Sequence, residues 1–271
     1  MSNPKILYVC QEITPYLPDS QMASLCRLLA QAMQERGGEI RTFMPRWGTI
    51  NERRNQLHEV IRLSGMNLII NDNDHQLIIK VASIPSARVQ IYFIDNEDYF
   101  SRKAILTDDD GVPFPDNDER ALFFARGVLE TVRKLRWAPD IVHCHGWFTG
   151  LVPMYLRGSF ANDPLFRDLK IVASLHDDAF PGSLDPRMAT KMADEGAQAD
   201  KLKIISQPTY ENLMKLVIDY ADGVVVDTPT PDKAVKDYAS ASGKPVLEYG
   251  EREDTVYLDK YRQFYDDLLA R

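Results

Sequence analysis

The chain has 271 residues, 44% hydrophobic and 27% charged, proportions of a globular protein able to bury a core. Its 32 Lys and Arg against 40 Asp and Glu leave a formal charge of −8, without the basic footprint that nucleic-acid or anionic-membrane binding needs. Apolar runs such as 6–10 and 224–226 are far shorter than the ~18 residues of a membrane span. The opening MSNPKI has no apolar leader, and Cys10, Cys26 and Cys144 lack metal-ligand spacing. These features predict a cytoplasmic α/β protein with reduced thiols, no membrane association and no nucleic-acid partner.

Residues 5–10 (KILYVC) read as a buried first strand. A loop over 11–20, with Pro15 and Pro18, leads to a helix with Met22, Leu25, Cys26, Leu28, Leu29, Ala32 and Met33 at spacings of three and four, stopped by Gly37 and Gly38. A strand over 39–44 completes a βαβ unit, the building block of parallel sheets. From 57 to 95 the rhythm changes: 68–71 and 75–84 flank the polar turn 72–74, and 89–95 adds a strand, together a small β insertion. Asp108, Asp109, Asp110 and Gly111 form a solvated turn, since the downstream ligands of a Ca²⁺ loop are missing. A helix over 118–136 carries the stripe Leu122, Ala125, Leu129, Val132 and Leu135.

Strands at 140–145, 170–176, 223–227 and 245–249 then alternate with helices beginning at 147 and spanning 209–221 and 230–241. Thr230 is the expected N-cap of the last of these, with Pro231 in its first turn. A final helix over 255–269 aligns Tyr257, Tyr261, Phe264, Tyr265, Leu268 and Leu269. The pattern predicts a doubly wound, mostly parallel Rossmann-like sheet over 1–250, with a C-terminal helix in 251–271 packing back on it.

Ligands of such sheets bind at the carboxyl ends of the strands. The loop 11–20 has no Gly, Lys or Arg, and Glu12 and Asp19 are acidic, so it does not suit a phosphate. His143 and His145 share one strand face, and His176, Asp177 and Asp178 end a later strand. Imidazoles and carboxylates so placed suit either a metal or plain hydrogen bonding, and the expectation is a cleft lined by His143, His145 and His176 without metal. No nucleophile elbow is present.

Taken in order, these segments resemble the glycogen/starch synthases that use ADP-glucose, retaining glycosyltransferases of family 5 with the GT-B fold. The most specific stretch is 96–156, with NEDYFSR, DNDERALFFARGVLETVRKL and WAPDIVHCHGWFTGLVPMYL. KILYVCQEITPY, LKIVASLHDDAFPG and ENLMKLVIDYADGVVVDTPT extend the likeness over about residues 4–235. The resemblance implies two Rossmann-like halves around an active-site cleft, of which this chain holds the first, acceptor-side half. It also implies that the last helix is the crossover helix returning from the second half.

Departures from the family are local. Pro18, Asp19, Ser20, Gln21 and Met22 stand where the family has its donor-binding Lys-x-Gly-Gly-Leu. In His-x-His-Asp-Trp-His the Asp is Gly146 and the last His is Phe148; in Ile-His-Asn the Asn is Asp177. Glu12, Pro15, His143, His145, Trp147 and His176 are kept. The resemblance thus implies a ligand cleft of Glu12, Tyr16, His143, His145, Trp147, His176 and Asp177, with Pro18, Ser20, Gln21, Gly146, Phe148 and Asp177 degenerate. Each lost polar contact removes about 2–4 kcal/mol of transition-state stabilisation.

The expected function is a synthase-like half, non-catalytic alone, with no cofactor, no metal and no assigned catalytic residue. Its partner is an α-glucan or maltooligosaccharide, a separate C-terminal synthase half, or a second copy of itself. The alternatives are a catalytic half that needs a separate donor-binding domain, and a metal-dependent hydrolase built on the His and Asp strand ends.

Overall fold

The computed structural model describes residues 3–250 and 256–271. Thr255, assigned above to the last helix, and position 251, where that C-terminal segment was expected to begin, lie outside the described residues.

The first half contains β1 (Lys5–Cys10), α1 (Gln21–Glu35), β2 (Glu39–Pro45), β3 (His58–Glu59), β4 (Met66–Ile70), β5 (Asn73–Ile84), β6 (Val89–Asp95), α2 (Glu97–Phe100) and α3 (Asn117–Leu135). There follow β7 (Ile141–His145), α4 (Leu151–Arg157), β8 (Lys170–Leu175), α5 (Met188–Asp194), α6 (Tyr210–Tyr220), β9 (Gly223–Val226), α7 (Lys233–Ala241), β10 (Val246–Leu247) and α8 (Val256–Leu269).

The main strand order is β10-β9-β8-β7-β1-β2-β6-β5-β3, and β4 pairs with β5 off this path. From β10 to β6 every pairing is parallel. This is the doubly wound sheet that the sequence predicts. β1 and β7, buried almost throughout, read as unbroken apolar runs because helices cover both faces of a parallel sheet. The β insertion comprises β3, β4 and β5, which pair antiparallel. β6, grouped with them by sequence, instead runs parallel beside β2, with Phe43 opposite Tyr92. Its near-complete burial marks it as a main-sheet strand, whereas β5 alternates between buried and open faces.

The cap of α7 also differs from expectation. Asp232 accepts from the Val235 amide at 3.0 Å, while the Thr230 amide donates to Thr228 Oγ1. A carboxylate three residues before that amide is the better N-cap, so α7 begins after Pro231. The periodicity also passes over α2, capped by Asn96, and α5, both too short to show a repeat.

Along α8, Tyr257, Leu258, Tyr261, Phe264, Tyr265 and Leu268 are buried, whereas Leu269 is exposed. Phe264 and Leu268 lie so close to Gly223 that a Cβ there would be 2.8 and 3.0 Å from them. Arg36, at the end of α1, pairs with Asp259 of α8 at 2.6 Å.

The winding positions the cleft. From β1 the chain moves outward through β2 to β6, then returns to β7 on the other side of β1 and winds outward again. The loops after β1 and β7 therefore part from each other and leave a crevice at the carboxyl edge.

Candidate binding cleft

A cavity of about 420 Å³ occupies that crevice. Gln11 and Glu12 reach it from β1, Ser20, Gln21 and Met22 from the start of α1, Trp147 from β7, and His176 to Pro181 from β8. Leu106, Thr107, Pro113 and Asn117 form the opposite wall. Its charged lining residues are Glu12, Asp177 and Asp178, with no Lys or Arg among the described residues.

Gln11 ties the two parting strands together. Its amide donates to His145 O at 3.0 Å, its carbonyl accepts from Trp47 Nε1 at 2.8 Å, and its side-chain oxygen accepts from the Phe148 amide at 3.2 Å. Gly146 passes directly beneath this side chain with φ +88°, where a Cβ would come within 2.8 Å of Gln11. The Asp that the resemblance implies at this position would force the Gln11 side chain to move. Phe148 is fully buried against Trp47, with ring centres 4.8 Å apart, so it directs no polar group into the cleft.

Asp178 brings a carboxylate held by two donors. It accepts from the Trp147 amide at 2.7 Å and from Tyr210 OH at 2.9 Å. Burial raises its pKa above the usual carboxylate value, against the pull of His176 and these donors. The Trp147 ring meets Phe180 edge-on at 4.7 Å. At the other side, Ser20 N-caps α1 through the Ala23 amide and donates to Glu12 at 2.7 Å. The positive end of α1 thus already faces a carboxylate of the protein itself.

Of the residues proposed from sequence, Glu12, Trp147, His176 and Asp177 line this cavity, together with Ser20 and Gln21; Pro18 does not. Tyr16, His143 and His145 lie elsewhere. Tyr16 packs edge-on against Phe93 at 4.9 Å, and burial pushes its hydroxyl up to about 12. His143 and His145 do share one face of β7, but α8 covers it. His143 Nδ1 is 2.7 Å from Tyr265 OH and its Nε2 is 2.7 Å from Ser174 Oγ. Burial, aided by His176, holds its pKa well below the ordinary histidine value.

Behind the cavity wall His176 meets His145, with Nε2 and Nδ1 3.2 Å apart. Asp227 Oδ2 is 3.8 Å from His145 Nδ1 and 3.9 Å from His176 Nε2, and Tyr261 of α8 donates to the other Asp227 oxygen. His143, His145 and Asp227 have ligand atoms within 4.8 Å of one another and could hold a metal ion. The hydroxyls of Tyr265 and Ser174 on both nitrogens of His143 suit a hydrogen-bonded core better. Gln11, Asp227 and Tyr210 were not expected at this site. Their roles depend on contacts distant in sequence; Asp178 and Asp227 both stand at strand ends, but the segment at Asp227 reads as the start of a helix.

Fold and site together define a Rossmann-like α/β domain with its crevice at the switch point and a helix folded back over the sheet. The family model described as "Starch synthase catalytic domain" matches residues 5–244. A glycogen synthase of Chlorobium limicola is 40% identical over 194 residues, covering 71% of this chain and 40% of that protein. A glycogen synthase of Chlorobium phaeovibrioides is 30% identical over 259 residues, covering 94% of this chain and 52% of that protein. The solved catalytic domain of starch synthase IV from Arabidopsis thaliana, bound to ADP and acarbose, superposes with a TM-score of 0.73 at 16% identity, covering 94% of this chain and 53% of that one. The chain belongs to the starch synthase catalytic-domain family of glycosyltransferases. It spans about half or less of the length of these relatives. Among the described residues, no helix is long and apolar enough to cross a membrane.

Proposed function

We propose that this chain is a degenerate synthase half that binds α-glucan in the cleft and does not by itself transfer glucose from a sugar nucleotide. The observation that carries this reading is the charge of the cavity: Glu12, Asp177 and Asp178 line it, and no Lys or Arg does so among the described residues. A diphosphate placed there meets like charge, and the N-terminus of α1 is already answered by Ser20 and Glu12. A neutral sugar chain fits the same surface. Trp147 and Phe180 offer apolar walls, while the carboxylates and Asn117 accept or donate to hydroxyls.

Residues 1–250 are the binding domain, and the C-terminal segment 251–271 closes its back through α8. No cofactor or metal is required. The three cysteines are free and buried, which suits the reducing cytoplasm. A hydrolase working through a metal on His143, His145 and Asp227 is disfavoured, because α8 covers that group and the cavity lies on the other side of His176.

A second reading is favoured by Glu12, Trp147 and His176 remaining in the cleft: a separate donor-binding half completes the site. Calorimetry of the purified chain with maltoheptaose, ADP-glucose and UDP-glucose tests both. Glucan binding without nucleotide-sugar binding is expected. A micromolar dissociation constant for ADP-glucose overturns the first reading, and restored transfer on adding a C-terminal half establishes the second.

A further inference from the structure

We propose that a basic pocket at the opposite edge of the sheet is a second binding site, for a phosphate-bearing small anion. Arg41 is the third residue of β2, Lys134 lies in the last turn of α3, and Arg62 precedes β4. With Leu63, Tyr92 and Leu135 they line a cavity of about 390 Å³. Three cations and no carboxylate line it, in a chain whose net charge is −8.

Several buried or half-buried cations elsewhere are paired with carboxylates. Arg46 and Lys80 share Glu52 and Asp95, Arg126 meets Glu195, and Lys191 is ringed by Asp118, Glu119 and Asp185. Arg41, Arg62 and Lys134 form no ion pair with a carboxylate among the described residues. Glu39, on the same face of β2 as Arg41, accepts from Trp137 Nε1 at 2.6 Å and is the nearest acid along that strand. The carbonyl end of α3 works against an anion, an effect reduced where the Arg136 and Trp137 amides take the Arg133 and Val132 carbonyls.

Two of its three cations are also held by the protein itself. Arg41 donates to Tyr92 OH at 2.7 Å, and its guanidinium lies 5.9 Å from the Tyr92 ring centre and 5.1 Å from that of Trp137. Its buried Nε has no hydrogen-bond partner. Lys134 donates one proton to Leu63 O at 3.0 Å, which holds its ammonium at the rim with further protons to give. A planar guanidinium beside an ammonium suits a phosphate dianion, and the two leucines suit a short organic substituent. The site is independent of the cleft and of the reading given for it.

The test uses the full chain in amide-resolved NMR titrations with inorganic phosphate and with glycerol 3-phosphate, against chloride at matched ionic strength. Both phosphates should saturate a site that shifts the amides of Arg41 and Lys134, at concentrations at least tenfold below any effect of chloride. Tighter binding of glycerol 3-phosphate assigns a phosphomonoester as ligand; equal binding assigns free phosphate. The exposed double variant Arg62→Gln/Lys134→Gln should keep its melting temperature and bind at least tenfold more weakly. Phosphate binding no tighter than chloride, or unchanged binding by the double variant, overturns the proposal.

Discussion

Tyr265 offers the sharpest test of how α8 is held. Its side chain is fully buried, and its hydroxyl stands 2.7 Å from His143 Nδ1 and 3.2 Å from Tyr8 OH. Tyr265→Phe keeps the ring and removes only this oxygen. The loss leaves two buried polar atoms to find new partners inside the core. One ordinary hydrogen bond is worth about 1 kcal/mol net, and a stranded buried group costs about 1–3 kcal/mol. The substitution should therefore cost about 2–3 kcal/mol. In a domain of this size each kcal/mol moves the melting temperature by about 2–4 °C, which predicts a fall of about 4–12 °C. Tyr265→Ala, which also opens a cavity, should cost about 3–5 kcal/mol or more. Urea denaturation followed by tryptophan fluorescence reads both, with an unchanged slope expected for Tyr265→Phe. A Tyr265→Phe variant within 0.5 kcal/mol of wild type would refute the view that this hydroxyl joins helix to sheet.

The same core should respond to pH. Because burial depresses the folded pKa of His143, the unfolded chain binds the extra proton; stability is full above the ordinary histidine pKa of about 6.5 and falls below it by up to about 1.4 kcal/mol per pH unit. Urea midpoints between pH 7.5 and 5 check this, and His143→Gln should flatten the slope. Truncation after Gly250 removes six buried side chains and should lower the melting temperature further than Tyr265→Ala; an unchanged melting curve would separate α8 from the fold. Phe180→Ala, at a half-buried position in the cleft, should weaken maltooligosaccharide binding roughly five- to tenfold in calorimetry while the chain stays folded.

Much of this architecture is legible in the sequence because it is written in local periodicity. The βαβ start, the long stripe of α3 and the apolar strands 141–145 and 170–175 each report their own burial. What local pattern cannot report is which face of a strand a distant segment will cover. His143 and His145 alternate toward one side, as their spacing requires, yet that side belongs to α8, whose Tyr265 lies 122 residues further on. The strand-end residues Glu12, Trp147 and His176 reach the cavity because they follow the carboxyl ends of β1, β7 and β8. Gln11 carries no comparable signal. Its importance comes from a hydrogen bond to Phe148 across 137 residues, and a glutamine after a strand has no motif to mark it.

Gly146 shows why the cleft is not one substitution away from the family pattern. At φ +88° and ψ 147° its backbone sits in a region that side chains enter at a cost of about 1–3 kcal/mol. An added Cβ also comes within 2.8 Å of the Gln11 Cβ and Oε1, so Gln11 must move and release the Phe148 amide, for about 1–3 kcal/mol more. Gly146→Asp should therefore destabilise the chain by about 2–6 kcal/mol. The two costs separate in a double-mutant cycle with Gln11→Ala, which removes the Oε1 contact and the acceptor of the Phe148 amide but keeps the Cβ contact and the backbone strain. A coupling of at least about 1 kcal/mol is expected, with the double variant still less stable than Gln11→Ala alone. Additive effects in urea denaturation would show that Gln11 and position 146 do not compete for the same space. Such a result would remove the steric reason for the missing Asp and return the difference to chemistry alone.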